Sequence, residues 1–507
     1  MGKTIWQAKQ QKFDKLSFDV ECDVCIIGGG IAGLWCAYML TKAGKRVVIL
    51  EAKRIGSGVT SGSTAILTYA QDVIYKPLIK KHGADVARQY LNDTQRAITE
   101  IAQLVEENNI DCEFEPIEYV LFSESGKGGR ALRKECGALD ELDCAEYGVE
   151  SDCGLPFTVT RALRFGDSYQ FNPLKLCAWL ADYVDANGGQ IFENTRVHEA
   201  PDGNELKVGS HTITAENFIV ATHFPYINVP GFYWLKVWQD QNYCIAFKPP
   251  EHLENMCNGT SYESIDKTGF EYRRVGDLIL CDGVSVRTGK KPYHSKYRKI
   301  EEHLEAKFGK CEEVARYVAQ DCITMDKLPY AGRYSHFADN VFVVTGFNKW
   351  GMTNSYITAD VVTRMILAKG CASDENIYSP QRIALFVNLI ETVSNVATIA
   401  ASFANDLLNL DAKKFERIGT GQGAIIRYKG KRVGAYRDDQ NRVHMIHAVC
   451  PHMGCNLKWN KDECTWDCPC HGSRFDHKGN IINSPATKNA HCLGQHCKIG
   501  KCKTKTA

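Results

Sequence analysis

Asp23-Val-Cys-Ile-Ile27-Gly28-Gly-Gly30-Ile-Ala-Gly33, then a helical run closed by Ala43-Gly44, then Arg46-Val-Val-Ile-Leu50-Glu51, decides the fold of the larger part of this chain. The apolar run to Ile27 reads as a buried strand, and Leu34, Ala37, Tyr38 and Leu40 recur at helical spacing. A second strand ends in an acid. Strand, G-x-G-x-x-G, helix, strand, acid is the order of a dinucleotide-binding βαβ unit. Gly28, Gly30 and Gly33 let the backbone approach a pyrophosphate at a helix N-terminus, where unpaired N–H groups favour anions, and Glu51 can accept from a ribose hydroxyl. Cys22 and Cys25 form a C-x-x-C, but Cys25 falls inside the strand, so both read as packing residues rather than a redox pair.

The chain has 507 residues, too many for one ordinary domain. Lys plus Arg (61) nearly equals Asp plus Glu (60), so no bulk charge points to nucleic acid or an anionic membrane surface. The N-terminus lacks the apolar core of a signal peptide, and no run is long enough for a transmembrane helix. A cytoplasmic location is expected, with most of the 22 cysteines reduced and buried.

Near the other end stand Cys450-Pro-His452-Met-Gly-Cys455 and Cys468-Pro-Cys470-His471-Gly-Ser473. C-x-H and C-x-x-H separated by fifteen residues offer one thiolate and one imidazole from each of two loops. That set suits an asymmetric [2Fe–2S] cluster, one iron on Cys450 and Cys468 and the other on His452 and His471. A structural zinc site could use the same residue types. Short alternating runs, Gly423–Tyr428, Val433–Tyr436 and Val443–Ile446, separated by turns, predict a small all-β unit bearing the loops at its tip.

This segment resembles the Rieske domains of cytochrome bc complexes. The resemblance implies a disulfide between Cys455 and Cys470, a Ser473 hydroxyl donating to a bridging sulfur, and a covering stretch at Gly479-Asn-Ile-Ile-Asn-Ser-Pro485. Phe475 stands where high-potential members have Tyr, which implies a lost donor and a lower potential. Ring-hydroxylating dioxygenases also use a Rieske domain, but usually at the N-terminus and without the extra Cys pair. Cys492, Cys497 and Cys502 in the tail are expected to be thiols of a disordered segment.

Past Glu51, the hydroxyl-rich loop Arg54–Ala65 resembles the loop that wraps the flavin in the D-amino-acid oxidase/glycine oxidase family of FAD enzymes. Gln170–Lys175, Glu193–Val197, Ile219-Val-Ala-Thr-His223 and Thr345-Gly346-Phe-Asn-Lys349-Trp-Gly351-Met352-Thr353 resemble further motifs of that family, in its order. The resemblance, over about residues 20–372, implies an α/β Rossmann-like FAD domain with an antiparallel substrate-side sheet. It implies FAD contacts from Thr60, Ser63, Thr64 and Val197, and from Gly346, Lys349, Gly351, Met352 and Thr353 at the second helix N-terminus. It also places Asp326–Tyr330 near the ring. No catalytic residue carries over; Arg273, Arg274 or Arg287 could bind a substrate carboxylate, but each reads first as a solvated surface residue.

The expected organisation is a FAD-dependent oxidoreductase domain at 1–380, a helical connector at 381–410 and the Rieske domain at 411–507. Within the first, FAD-binding segments fall at about 20–75, 166–230 and 320–372, and substrate-side segments at about 112–165 and 235–320. Ile383 to Leu408 carries the apolar face of a long helix. Flavin takes two electrons together and a Rieske cluster carries one. The fusion implies an oxidoreductase that oxidises an amine or amino-acid-like substrate and passes electrons singly to an external redox partner. The alternatives are a reductase running the other way and a non-catalytic redox sensor or electron-transfer protein.

Overall fold

The apolar runs of the opening motif lie at the centre of a seven-stranded sheet ordered Tyr330–Arg333, Val341–Thr345, His211–Val220, Val20–Ile27, Val47–Leu50, Gln190–Phe192, with Glu205–Val208 pairing off His211–Val220. The computed structural model describes residues 4–144, 147–267, 269–290, 295–368, 376–382, 418–428 and 430–496. The four innermost pairings of this sheet are parallel. A parallel sheet needs cover on both faces, and Val24, Ile26, Val47 and Ile49 are buried accordingly. Helix Ile31–Lys42 packs against Pro173–Ala186 and Gly351–Leu367 and is buried nearly all round, which explains its lack of a polar stripe.

The second sheet has nine strands, ordered Glu312–Thr324, Val237–Lys248, Leu278–Arg287, Glu271–Val275, Thr260–Ser264, Glu115–Ser123, Arg161–Gln170, Ile66–Leu67, with Tyr147–Glu150 also on Arg161–Gln170. It departs from the expected antiparallel sheet at one place: Thr260–Ser264 runs parallel to Glu115–Ser123. Those strands are joined by a long excursion rather than a hairpin, so nothing local dictates their direction.

The C-terminal part holds two four-stranded sheets, Gly423–Tyr428, Lys431–Arg437, Val443–His447, Cys492–His496 and Lys458–Asn460, Thr465–Asp467, Arg474–Phe475, Ile481–Asn483. The fold is therefore a Rossmann-like α/β domain with a substrate-side sheet, followed by a small β-rich domain. Most of the connector helix expected at Ile383–Leu408, and the tail cysteines Cys497 and Cys502, lie outside the described residues. Cys492 is exposed and sits in a strand. Among the described residues, no helix is long and apolar enough to cross a membrane.

Asp326, expected near the ring, is engaged instead in an internal ion pair. It is fully buried and paired with Arg382, whose Nε and Nη2 donate to its carboxylate at 2.6 and 2.8 Å. Arg382 also donates to the Leu328 and Pro329 carbonyls. Burial works against the Asp326 charge, but Arg382 prevails and holds the carboxyl below its ordinary value. A lowered folded pKa contributes stability above the ordinary carboxylate range and loses it as pH falls through the folded value. Asp326→Asn strands a buried guanidinium and is expected to cost about 3–5 kcal/mol. Denaturant unfolding at neutral pH checks this, and the gap from the parent narrows in acid.

Candidate functional site

A cavity with about 1850 Å³ of empty space, counted out to its mouth, runs along the carboxyl ends of the parallel strands. Gly28, Gly30, Glu51, Thr60, Ser63, Thr64, Val197, Lys349, Gly351 and Met352 all line it. Gly33, Gly346 and Thr353 stand behind the wall: Gly33 against the Gly28 carbonyl, Gly346 against Thr324, and Thr353 with its hydroxyl donating to the Thr68 carbonyl at 3.4 Å. Gly30 gives helix Ile31–Lys42 no side-chain cap of its own; Thr60 Oγ1 accepts from the Ile31 N–H at 3.2 Å, and Gly30, Ile31 and Ala32 of this N-terminus line the cavity. Glu51 accepts from the Gly29 and Lys53 N–H groups at 2.8 and 2.7 Å, which orients the carboxylate. Burial raises its pKa. The helix N-terminus and the glycine cradle fit a dinucleotide pyrophosphate. Cys22 and Cys25 are buried and unpaired, the Cys22 thiol pushed up to about 12 by burial, as packing residues would be.

At the other end, Asn242, Glu271, Asp282 and Asp321 project from four neighbouring strands of the nine-stranded sheet. Glu271 and Asp282 are cross-strand partners. Asn242 donates to Asp282 Oδ2 at 2.9 Å and Asp282 also pairs with the Glu271 side chain, while Asn242 Oδ1 has no hydrogen-bond partner. Burial, with Glu271 alongside, holds the Asp282 carboxyl well above its ordinary range. Burial pushes Asp321 up to about 7. Lys349 lies inside the molecule with its surface bared to the cavity, and Glu271, Asp321, Asp282 and Glu263 around it raise its pKa against the burial penalty. Asn348 and Lys349 both have positive φ, 52° and 77°, a strained turn that delivers this side chain to the cavity.

None of the three arginines reaches this end. Arg273 is buried, not on the surface: it donates to the Ala65 and Phe171 carbonyls and stacks on Trp6. Arg274 donates to the Glu254 and Met256 carbonyls, and Arg287 to the Cys470 carbonyl over Trp238. Carbonyls from distant strands, invisible in the local sequence, are what offset the burial of Arg273.

The two Cys/His loops meet at the tip of the C-terminal β unit. Cys455 and Cys470 form a disulfide that ties them. Cys450 and Cys468 are buried, unpaired and close enough to share a proton: the Cys468 thiol, together with the Ser473 hydroxyl, holds Cys450 below the ordinary thiol value. The His452 and His471 rings stand 5.0 Å apart, and the Nδ1 of each is buried without a partner. Two free thiols opposite two orphaned imidazole nitrogens fit the asymmetric donor set of a Rieske cluster. The sulfurs of Cys455, Cys468 and Cys470 also lie within 4.8 Å of one another, but the disulfide removes two of them as thiolate donors.

The tip is docked on the larger domain. Gln239 donates to the His471 and Ser484 carbonyls at 2.7 and 2.9 Å, and Gln320 to the Gly472 carbonyl at 2.9 Å. His452 Nε2 meets Asn228 Oδ1 at 2.6 Å. Gly472 has φ 86°, and a Cβ there would strike the Gln239 side chain, so the approach needs a glycine. Ser484 donates to the Thr222 carbonyl and Lys53 to the Ile482 carbonyl. Ile482, Asn483, Ser484, Ala486 and Thr487 thereby line the same cavity as the dinucleotide glycines. Reasoning from sequence missed the glutamines, Asn228 and the acidic end. A polar run inside a strand pattern, Gln239-Asp-Gln241-Asn242, was the available signal.

The family model described as FAD dependent oxidoreductase matches residues 23–365, and that described as Rieske [2Fe-2S] domain matches 410–496. The chain is 35% identical over 498 residues to the putative Rieske 2Fe-2S iron-sulfur protein YhfW of Bacillus subtilis, covering 96% of each. It is 24% identical over 381 residues to the gamma-glutamylputrescine oxidoreductase of Escherichia coli, covering 71% of this chain and 86% of that one. The glycine oxidase structure from Geobacillus kaustophilus superposes with a TM-score of 0.59 at 20% identity, over 72% of this chain and 99% of that one, which shows a shared fold. The chain belongs to the FAD dependent oxidoreductase family and carries a C-terminal Rieske domain; its cofactors are FAD and a [2Fe–2S] cluster.

Proposed function

We propose that this member of the FAD dependent oxidoreductase family is a dehydrogenase that oxidises an amine or amino-acid-like substrate and delivers the electrons through its Rieske cluster to an external one-electron acceptor. The observation that carries this reading is the shared cavity: the strap Ile482–Thr487 of the Rieske domain walls the space that the dinucleotide glycines open into. Bound FAD supplies hydride acceptance and the cluster one-electron transfer, so together they convert a two-electron oxidation into single-electron steps.

In this reading Gly28, Gly30, Glu51, Thr60, Ser63, Thr64, Val197, Lys349, Gly351 and Met352 hold FAD directly, with Gly33, Gly346 and Thr353 shaping the wall behind them. Cys450 and Cys468 hold one iron through sulfur, and His452 and His471 hold the other through Nδ1. Substrate oxidation takes a hydride from the carbon and a proton from the nitrogen, leaving an imine. Asp321, pushed up to about 7 and facing the cavity, can hold the ammonium proton that must leave first. Gln239 and Gln320 clamp the cluster loops and exclude water between the two centres. We place the chain in the cytoplasm, where thiols such as Cys36, Cys177 and Cys322 stay unpaired.

The test is anaerobic. An amine panel is mixed with holoenzyme, and flavin absorbance and the EPR spectrum are read on the same samples. Bleaching accompanied by a Rieske-type signal is expected; Cys468→Ser should keep the bleaching and lose the signal. Bleaching with no EPR signal in the parent protein sinks the flow from flavin to cluster.

A further inference from the structure

The catalytic end of the cavity is acidic. Three carboxylates, Glu271, Asp282 and Asp321, face it against one cation, Lys349. They come from separate neighbouring strands, and among the described residues their oxygens do not converge as a metal ligand set. One acceptor at this end, Asn242 Oδ1, has no partner although the residue is only 9% exposed, and its neighbour Asp282, 5% exposed, pairs acid to acid with Glu271. An orphaned buried acceptor costs free energy unless a donor arrives to fill it. The donor that would fill it, and separate the acid pair beside it, is an N–H group carried in by a ligand.

The arginines point the same way. A substrate carboxylate is ordinarily met by a guanidinium fork. Arg273 and Arg287 are each committed to main-chain carbonyls away from this end, Arg273 with three donors placed and its guanidinium stacked on Trp6. Lys349 is itself surrounded by acids. With the Asp282 carboxyl held well above its ordinary range against Glu271, an incoming carboxylate would find no surplus of positive charge, whereas an ammonium would displace the proton of this acid pair to solvent and be held by the charge it uncovers.

We infer that the substrate of this site is an amine bearing a second positive charge, an aliphatic diamine or longer polyamine, with its distal ammonium seated on Asp282, Glu271 and Asn242 while the reacting nitrogen lies toward the flavin. This rests on the amine-dehydrogenase reading and narrows it. Spread over several strands, the acceptors suit an extended cation better than a compact one. An α-amino acid, whose carboxylate sits beside the reacting carbon, is disfavoured by the same charges.

The probes are 1,4-diaminobutane, 1-aminobutane, 4-aminobutanoate and glycine, added anaerobically to holoenzyme. The perturbation of flavin absorbance reports binding and bleaching reports oxidation. The diamine should bind about tenfold or more tighter than 1-aminobutane, as one charge-assisted contact is worth, and 4-aminobutanoate and glycine should be weakest. Asp282→Asn should weaken the diamine about tenfold while leaving 1-aminobutane within about threefold. Glu271→Gln, checked for full FAD content, serves if the first variant does not fold, and the order of the four probes on the parent protein stands independently of both. Glycine or 4-aminobutanoate binding as tightly as the diamine, with bleaching, overturns this inference and leaves the dehydrogenase reading intact. If no amine perturbs the flavin although dithionite reduces both centres, both fall.

Discussion

Gly33→Val is expected to yield protein without FAD, its flavin absorbance reduced at least tenfold relative to protein. A Cβ on Gly33 would drive into the Gly28 carbonyl oxygen, with Ile26 Cγ2 close behind at 3.3 Å. The clash is with main chain, so no rotamer relieves it. The strand end and the first turn of helix Ile31–Lys42 must separate, and overpacking of this kind costs about 1–3 kcal/mol or more. The cost falls on the geometry that aims the helix N-terminus at the pyrophosphate. Gly137→Ala is the control: it lies in helix Gly126–Glu141, where the added methyl would meet no atom within 4 Å, and should keep its flavin. Stoichiometric FAD in Gly33→Val would mean that the close approach of helix and strand is not needed for binding.

The second large effect concerns the docked cluster. Gln239→Leu with Gln320→Leu removes the donors to the His471, Ser484 and Gly472 carbonyls in one step. All of these lie in or beside the cluster loops, and each buried acceptor left without a donor costs about 1–3 kcal/mol. Both glutamines are 1% exposed, so water cannot replace them without opening the interface. Leucine keeps the volume and the β-sheet, so the parent fold should persist while the docked geometry is lost. Rapid-freeze EPR after flavin reduction should show the Rieske signal rising at least tenfold more slowly, with the two midpoint potentials unchanged. An unchanged rate would show that the docked arrangement is not the one through which electrons pass.

The remaining legibility differs by element for physical reasons. Strands read from alternation, Gly423–Tyr428 and the run near Val443, are present because a two-sheet β unit writes its pattern locally. The run Asn242–Phe247 is the inner half of a strand that starts at Val237; Gln239 and Gln241 before it are polar because they bond to the Rieske domain, which no local pattern announces. The same reason hid the burial of Arg273: its partners lie about a hundred residues or more away in sequence.

By itself, then, the order of residues determined the dinucleotide unit, the four cluster donors and the loop cysteines, because each is a contiguous motif whose contacts are made by main chain or by donors a few positions apart. Glycine spacing is a statement about backbone approach, and C-x-H with C-x-x-H is a statement about ligand reach. Tertiary structure alone decided that the His471 loop rests on Gln239, that the strap Ile482–Thr487 closes the flavin cavity, and that Glu271, Asp282 and Asp321 converge there. Glu271 and Asp282 face each other across a hairpin, but Asp321, Gln239 and the strap come from segments far apart in the chain, and only the pairing of the sheet and the docking of one domain on the other bring their charges and carbonyls to a common surface.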